Sequence, residues 1–188
     1  SLANNHMTDY GPRAVTETLD YLDLLGIARC GAGRDIDEAT RPAVLTRDGA
    51  VFAFLAYAEP IWSVVGARDA KAAARATRAE ARAHGPLTPA PERPDAPRSG
   101  YAGVAVASTE RILADVARVR EELAPDYLFV SLHWGDEHQH IPTRAQRALG
   151  RAVIDAGAQV VLGHHPHVVQ SLERHGDGLR SEEHTSEL

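Results

Sequence analysis

In the stretch VVLGHHPHVV, residues 160–169, His164, His165 and His167 follow directly on an apolar run. His133 follows a second apolar run, YLFVSL at residues 127–132, and Asn5 and His6 stand side by side near the start of the chain. Neutral imidazole is a good ligand for zinc, manganese or iron. Crowded together without a metal, such rings repel one another when protonated, and each buried nitrogen without a partner costs roughly 1–3 kcal/mol. A cation removes both problems, so the pattern points to a metal centre. Pro166 fixes its own φ and is expected to hold His165 extended, so that the His165 and His167 rings need not point the same way and could serve two neighbouring metals. His138 and His140 in GDEHQHIP have i, i+2 spacing but no strand exit beside them. His84 and His175 fall in polar loops, and none of these four is assigned a role.

A centre of this kind needs elements that carry distant segments to one edge. After Gly11 and Pro12, an opening that suits a helix, Val15, Leu19, Leu22 and Leu25 recur on one face, and Gly26 stops the pattern. Residues 50–57 (AVFAFLAY) form a strand, and the turn Arg47-Asp48-Gly49 pairs residues 43–46 with it as a hairpin. Ile112, Leu113, Val116, Val119 and Leu123 make a helical face that ends before Pro125. Residues 127–132 and 158–162 are apolar almost throughout, as expected of strands covered on both faces. Between them Thr143 and Gln146 match a capping box, and Ala145, Leu149, Val153 and Ala156 continue a helix to Gly157. Helices between buried strands imply parallel pairing and a layered α/β fold. Ligands of such sheets collect beyond the carboxyl ends of the strands. If residues 1–3 are the tail of a further strand, Asn5 and His6 lie on the same rim as His133, His165 and His167.

At 188 residues, with 44% hydrophobic and 24% charged residues, the chain can bury one ordinary core. A formal charge of −6 leaves no basic face for a phosphate backbone, which argues against nucleic acid as a partner. Cys30, the single cysteine, excludes an intrachain disulfide and a cysteine-based zinc site. Residues 60–98 read as a surface insertion, Ala/Arg-rich at first and then Pro-rich. Residues 180–188 show no helical or strand period and resemble the translation of a common sequencing adapter, so they are expected to be a non-native tail, leaving residues 1–179 as the domain.

The segments NHMTDYG from Asn5, GAG from Gly31, SLHWG from Ser131 with Glu137, Gln146, and GHHPHV from Gly163 occur in an order that resembles the CapA-type capsule-synthesis family, also described as poly-γ-glutamate biosynthesis proteins. That family is in turn similar to the metallophosphatase superfamily. The resemblance implies a four-layer α/β/β/α sandwich, here without its first strand and its C-terminal segment. It implies a site for two divalent metals, Mn, Zn or Fe, on loops at strand ends. Asn5, His133 and His165 match ligands of one metal and His167 a ligand of the other. His6 matches a general acid near the substrate, with Asp9 orienting it. Glu137 and His164 fall beside the metals as substrate-facing or supporting residues. The family's Gly-Asp strand end, a second acidic motif and a Gly-Asn-Phe motif are missing, so weak metal occupancy is expected of this chain. The implied partner is an anionic cell-envelope polymer or its precursor, in a membrane-associated or extracytoplasmic setting. Three functions stay open: metal-assisted hydrolysis of a phosphoester or amide-like bond, metal-dependent binding of the polymer during assembly or export, and a cytosolic phosphoesterase acting on a small molecule.

Overall fold

A computed structural model describes residues 1–60 and 102–183. The insertion assigned to residues 60–98 therefore lies, apart from Pro60, outside the described residues, as does His84. The described chain is a mixed α/β structure with four helices, a six-stranded mixed sheet and a two-stranded sheet. None of those helices is long and apolar enough to cross a membrane.

The helices are α1 (Gly11–Leu24), α2 (Ile36–Ala39), α3 (Thr109–Leu123) and α4 (Arg144–Asp155). The small sheet pairs β1 (Ala32–Gly33) with β4 (Gly103–Val104). The large sheet holds β2 (Ala43–Arg47), β3 (Ala50–Ala58), β5 (Tyr127–His133), β6 (Val160–His164), β7 (Leu172–His175) and β8 (Gly178–Ser181), in the order β2-β3-β5-β6-β8-β7. Arg47 pairs with Ala50 across Asp48 and Gly49, whose φ values of 52° and 84° suit the mirror-image turns that match strand twist. β3, β5, β6 and β8 run parallel; helices α3 and α4 make the crossovers into β5 and β6, whereas β8 is reached through β7.

Side chains alternate across β3 and β5. Ala53, Leu55 and Tyr57 join Leu128, Val130, Leu132 and Val161 in a core under α3 and α4, which contribute Ile112, Val116, Val119, Val153 and Ile154. The opposite face carries Ala56 and Ala58 into a second cluster with Ala3, Val15, Leu19, Cys30 and Val104. It also carries Ser131 and His133. In the first core the Tyr57 hydroxyl donates to Asp115 Oδ2 at 3.0 Å, while Arg118 donates to the other carboxylate oxygen at 3.1 Å. Burial and the Asp115 carboxylate both push the phenol's pKa up, so it stays a donor. Tyr57→Phe is expected to destabilise the fold by about 1.5–3 kcal/mol, the worth of a buried hydrogen bond to a charged group. Urea unfolding measures this, and an unchanged midpoint would show that the bond contributes nothing.

Several sequence expectations need correction. Helix α1 ends at Leu24 and Leu25 is 57% exposed, because the chain turns at Gly26 before that side chain can reach the core. The buried stripe of α4 is Gln146, Gly150, Val153 and Ile154, with Ala145 exposed. Gly150 sets that rotation: a Cβ there would lie 2.4 Å from Arg180 Cδ, so the bare backbone faces inward. Residues 1–3 form no strand, although the Leu2 N–H donates to the Cys30 carbonyl at 2.9 Å and Ala3 is buried. His175 lies in β7 rather than a loop, and the segment from Arg180 does contain strand. Gly176 and Asp177 turn the chain so that β8 pairs with both β6 and β7. This buries the Arg180 side chain, whose charge meets the carboxylates of Glu173 and Glu182.

Candidate metal centre

Parallel register brings the first group of site residues together. His133 ends β5, His164 ends β6, and the two are Cα partners, with Ser131 two residues back on the same face. Adjacent strands lie about 4.8 Å apart, and the His133 and His164 ring centroids keep that spacing at 4.9 Å. Their Nδ1 atoms are 2.8 Å apart, and His164 Nε2 lies 2.8 Å from Ser131 Oγ. On its other side His133 Nε2 lies 2.9 Å from Asn5 Oδ1, an atom from the far end of the sequence. Burial, first, and then the neighbouring imidazoles push the His133 pKa down to about 3, so the ring stays neutral at physiological pH.

The second group forms where the loop after β5 meets the loop after β6. The His138 N–H donates to the Pro166 carbonyl at 2.8 Å and clamps the two loops together. Glu137, His165 and His167 each offer a donor atom, all within 4.8 Å of one another. The two groups adjoin, since the His133 and His165 ring centroids are 4.7 Å apart. His165 is 5% exposed, burial lowers its pKa against the opposing pull of Glu137, and its Nδ1 has no hydrogen-bond partner. Its φ is 114°, not the extended value expected before Pro166. His167 is also left-handed, at 57°. With this unusual backbone both rings come within reach of Glu137.

His6 is exposed and its Nδ1 lies 2.8 Å from Asp9 Oδ2, outside the buried group. His138 approaches His167 with ring centroids 6.3 Å apart. Trp134 is buried in the first core, where its indole N–H donates to Glu182. The sequence reading missed Glu59. It follows β3, accepts the Gly135 N–H at 2.9 Å and faces the rim closely enough to act on His165. The signal was present, since Glu59 directly follows the apolar run that makes β3, as His133 follows β5.

The donor chemistry fits a divalent cation. Two ligand atoms about 2.1 Å from one cation and at right angles are roughly 3 Å apart, which is the spacing of Asn5 Oδ1 and His133 Nε2. His165 Nδ1, a buried imidazole nitrogen without a hydrogen-bond partner on a strained backbone, could be satisfied by a cation.

Fold and rim together define an α/β protein with carboxamide, imidazole and carboxylate donors gathered at the ends of parallel strands. The chain belongs to the bacterial capsule synthesis protein family PGA_cap, whose family model matches residues 1–180. It is similar to the capsule biosynthesis protein CapA of Bacillus anthracis, 27% identical over 95% of this chain and 37% of that protein. The PGA biosynthesis protein CapA of Bacillus subtilis is 27% identical over 91% of the chain and 37% of its own length. A probable polyglutamine synthesis accessory protein of Mycobacterium tuberculosis is 28% identical over 92% and 40%. The chain thus spans about two fifths of the length of these relatives.

Proposed function

We propose that this chain carries the metal centre of a protein that acts on an anionic cell-envelope polymer, a capsule polymer or poly-γ-glutamate, by metal-assisted hydrolysis. One observation carries this reading: two adjoining donor groups, Asn5 with His133 and His165 with His167 and Glu137, converge at strand ends from three separate segments. Asn5, His133 and His165 would hold one divalent ion, with His167 and Glu137 holding a second. When bound, such a pair would polarise a phosphoryl or carbonyl oxygen and lower the pKa of bound water towards about 7. His6, held through Nδ1 by Asp9, would deliver a proton from Nε2 to the leaving group. His133, kept neutral by its surroundings, offers a lone pair rather than a repelling charge. The relatives' names, which speak of capsule and PGA biosynthesis, support the polymer, and the family match supports a metallophosphatase-like sandwich for the complete domain.

A donor set of carboxamide, neutral imidazoles and one carboxylate leaves most of a cation's charge uncompensated. That favours, as a second reading, capture of polymer carboxylates without bond cleavage, in a membrane-associated assembly or export complex. Metal analysis by mass spectrometry with manganese- and zinc-dependent hydrolysis of a phosphodiester and of poly-γ-glutamate tests both. Turnover that disappears with chelation supports hydrolysis. Stoichiometric metal with polymer binding but no turnover supports capture, and absence of bound metal under saturating manganese and zinc sinks both. Glu137→Gln is expected to weaken zinc binding about 10-fold by removing the one anionic ligand, measured by calorimetric titration. Unchanged affinity would place Glu137 outside the ion's coordination.

A further inference from the structure

His164 is not needed to complete either donor group, yet it sits between His133 and Ser131 with both ring nitrogens engaged at 2.8 Å. A neutral imidazole has one N–H and one lone pair. The Nδ1 to Nδ1 contact therefore requires one ring to donate and the other to accept, and that choice fixes the whole chain of bonds. In one direction Ser131 Oγ–H donates to His164 Nε2, His164 Nδ1–H donates to His133 Nδ1, and His133 Nε2–H donates to Asn5 Oδ1. In the other, His133 Nδ1–H donates to His164 Nδ1, His164 Nε2–H donates to Ser131 Oγ, and His133 Nε2 is a lone pair facing the Asn5 carbonyl oxygen. Two lone pairs 2.9 Å apart repel unless a cation lies on both. The first direction suits the empty centre and the second the filled one.

We propose that His164 is a positioning residue, anchored by Ser131, that accepts the Nδ1 proton of His133 and so holds Nε2 as a lone pair beside Asn5 Oδ1 when a divalent cation is bound. This rests on the reading of Asn5 and His133 as ligands. The proton balance closes. Cation entry releases the His133 Nε2 proton to solvent, the His164 Nδ1 proton passes to His133 Nδ1, the Ser131 hydroxyl proton passes to His164 Nε2, and Ser131 regains one from solvent. The strand register makes the arrangement rigid, since His133 and His164 are paired residues of neighbouring parallel strands.

Zinc is the probe, and the readout is long-range proton–nitrogen NMR of the histidine rings in the full chain. The His133 ring is expected to carry its proton on Nε2 without zinc and on Nδ1 with it. His164→Phe is expected to lower zinc affinity about 10- to 100-fold, and His164→Asn, whose amide oxygen can accept from Nδ1–H, to recover affinity to within about threefold of the parent. Parent affinity in His164→Phe, with a loss in His133→Ala, would overturn the role of His164 while leaving the metal centre standing. Parent affinity in both would remove the centre and this proposal together. If His164→Phe does not fold, the unsubstituted chain still decides, because a zinc-bound His133 that keeps its proton on Nε2 overturns the proposal.

Discussion

Replacing His165 by glycine is expected to weaken zinc binding by about 100-fold or more while leaving the metal-free chain as stable as its parent, to within about 1 kcal/mol. A buried side chain cut back this far ordinarily destabilises a protein by several kcal/mol through the cavity it leaves. At this position two costs disappear with the ring. The backbone at φ 114° is strained for any residue with a Cβ, at about 1–3 kcal/mol, and glycine adopts it freely. The Nδ1 atom, buried without a partner, contributes a further penalty of about 1–3 kcal/mol. These gains offset the cavity and the backbone entropy of glycine, which together are of similar size. Calorimetric zinc titration and urea unfolding of the metal-free chain check the two halves separately. A loss of stability above about 2 kcal/mol with zinc affinity intact would make His165 a packing residue.

The largest loss of stability is expected from Gly31→Ala, at about 3–5 kcal/mol. Gly31 has φ 90°, and a Cβ there would lie 2.8 Å from Ala3 Cβ, 2.8 Å from Ala56 Cβ and 2.9 Å from the Ala3 backbone nitrogen. The segment before Asn5 is thus pressed against β3 through a gap that admits no methyl group. Relief requires Ala3 to move, and Asn5, two residues on, moves with it, away from the 2.9 Å contact with His133. Zinc affinity should therefore fall together with the unfolding midpoint. Gly26→Ala is the control: its φ of 66° carries the backbone cost, but nothing lies within 4 Å of the added carbon, so a loss of only about 1 kcal/mol is expected. Equal losses at the two positions would show that close packing around Gly31 does not matter.

The parallel strands and their helices were legible because each strand is a short apolar run and each helix has a marked start, such as the Thr143 and Gln146 pair that closes the capping box in the structure. Strand exits located His133 and His165 for the same reason. Hairpin β7–β8 was not legible: Leu172–His175 is polar at three of four positions, and Arg180 reads as a surface residue until Glu173 and Glu182 are found beside it. On α4 the expected face holds at Leu149, Val153 and Ala156, which pack on the first core, and fails at Ala145; Gly150, which also faces inward, carries no weight in hydrophobic periodicity. The partnership of His164 depended on register, which composition does not reveal, although histidines ending two successive buried strands were a usable hint. Glu137 was treated as a neighbour of the metals because spacing along a loop does not show that the loop folds back on another.

The Asn5 and His133 donors lie 128 residues apart in the chain and 2.9 Å apart in space. A cation gripping both would behave as a reversible cross-link closing most of the polypeptide into one loop, and only the folded chain can form it. Its concentration would then set the melting temperature, with zinc at 100 times its dissociation constant adding about 2.7 kcal/mol. Thermal stability would thus serve as a gauge of how much metal the surroundings supply.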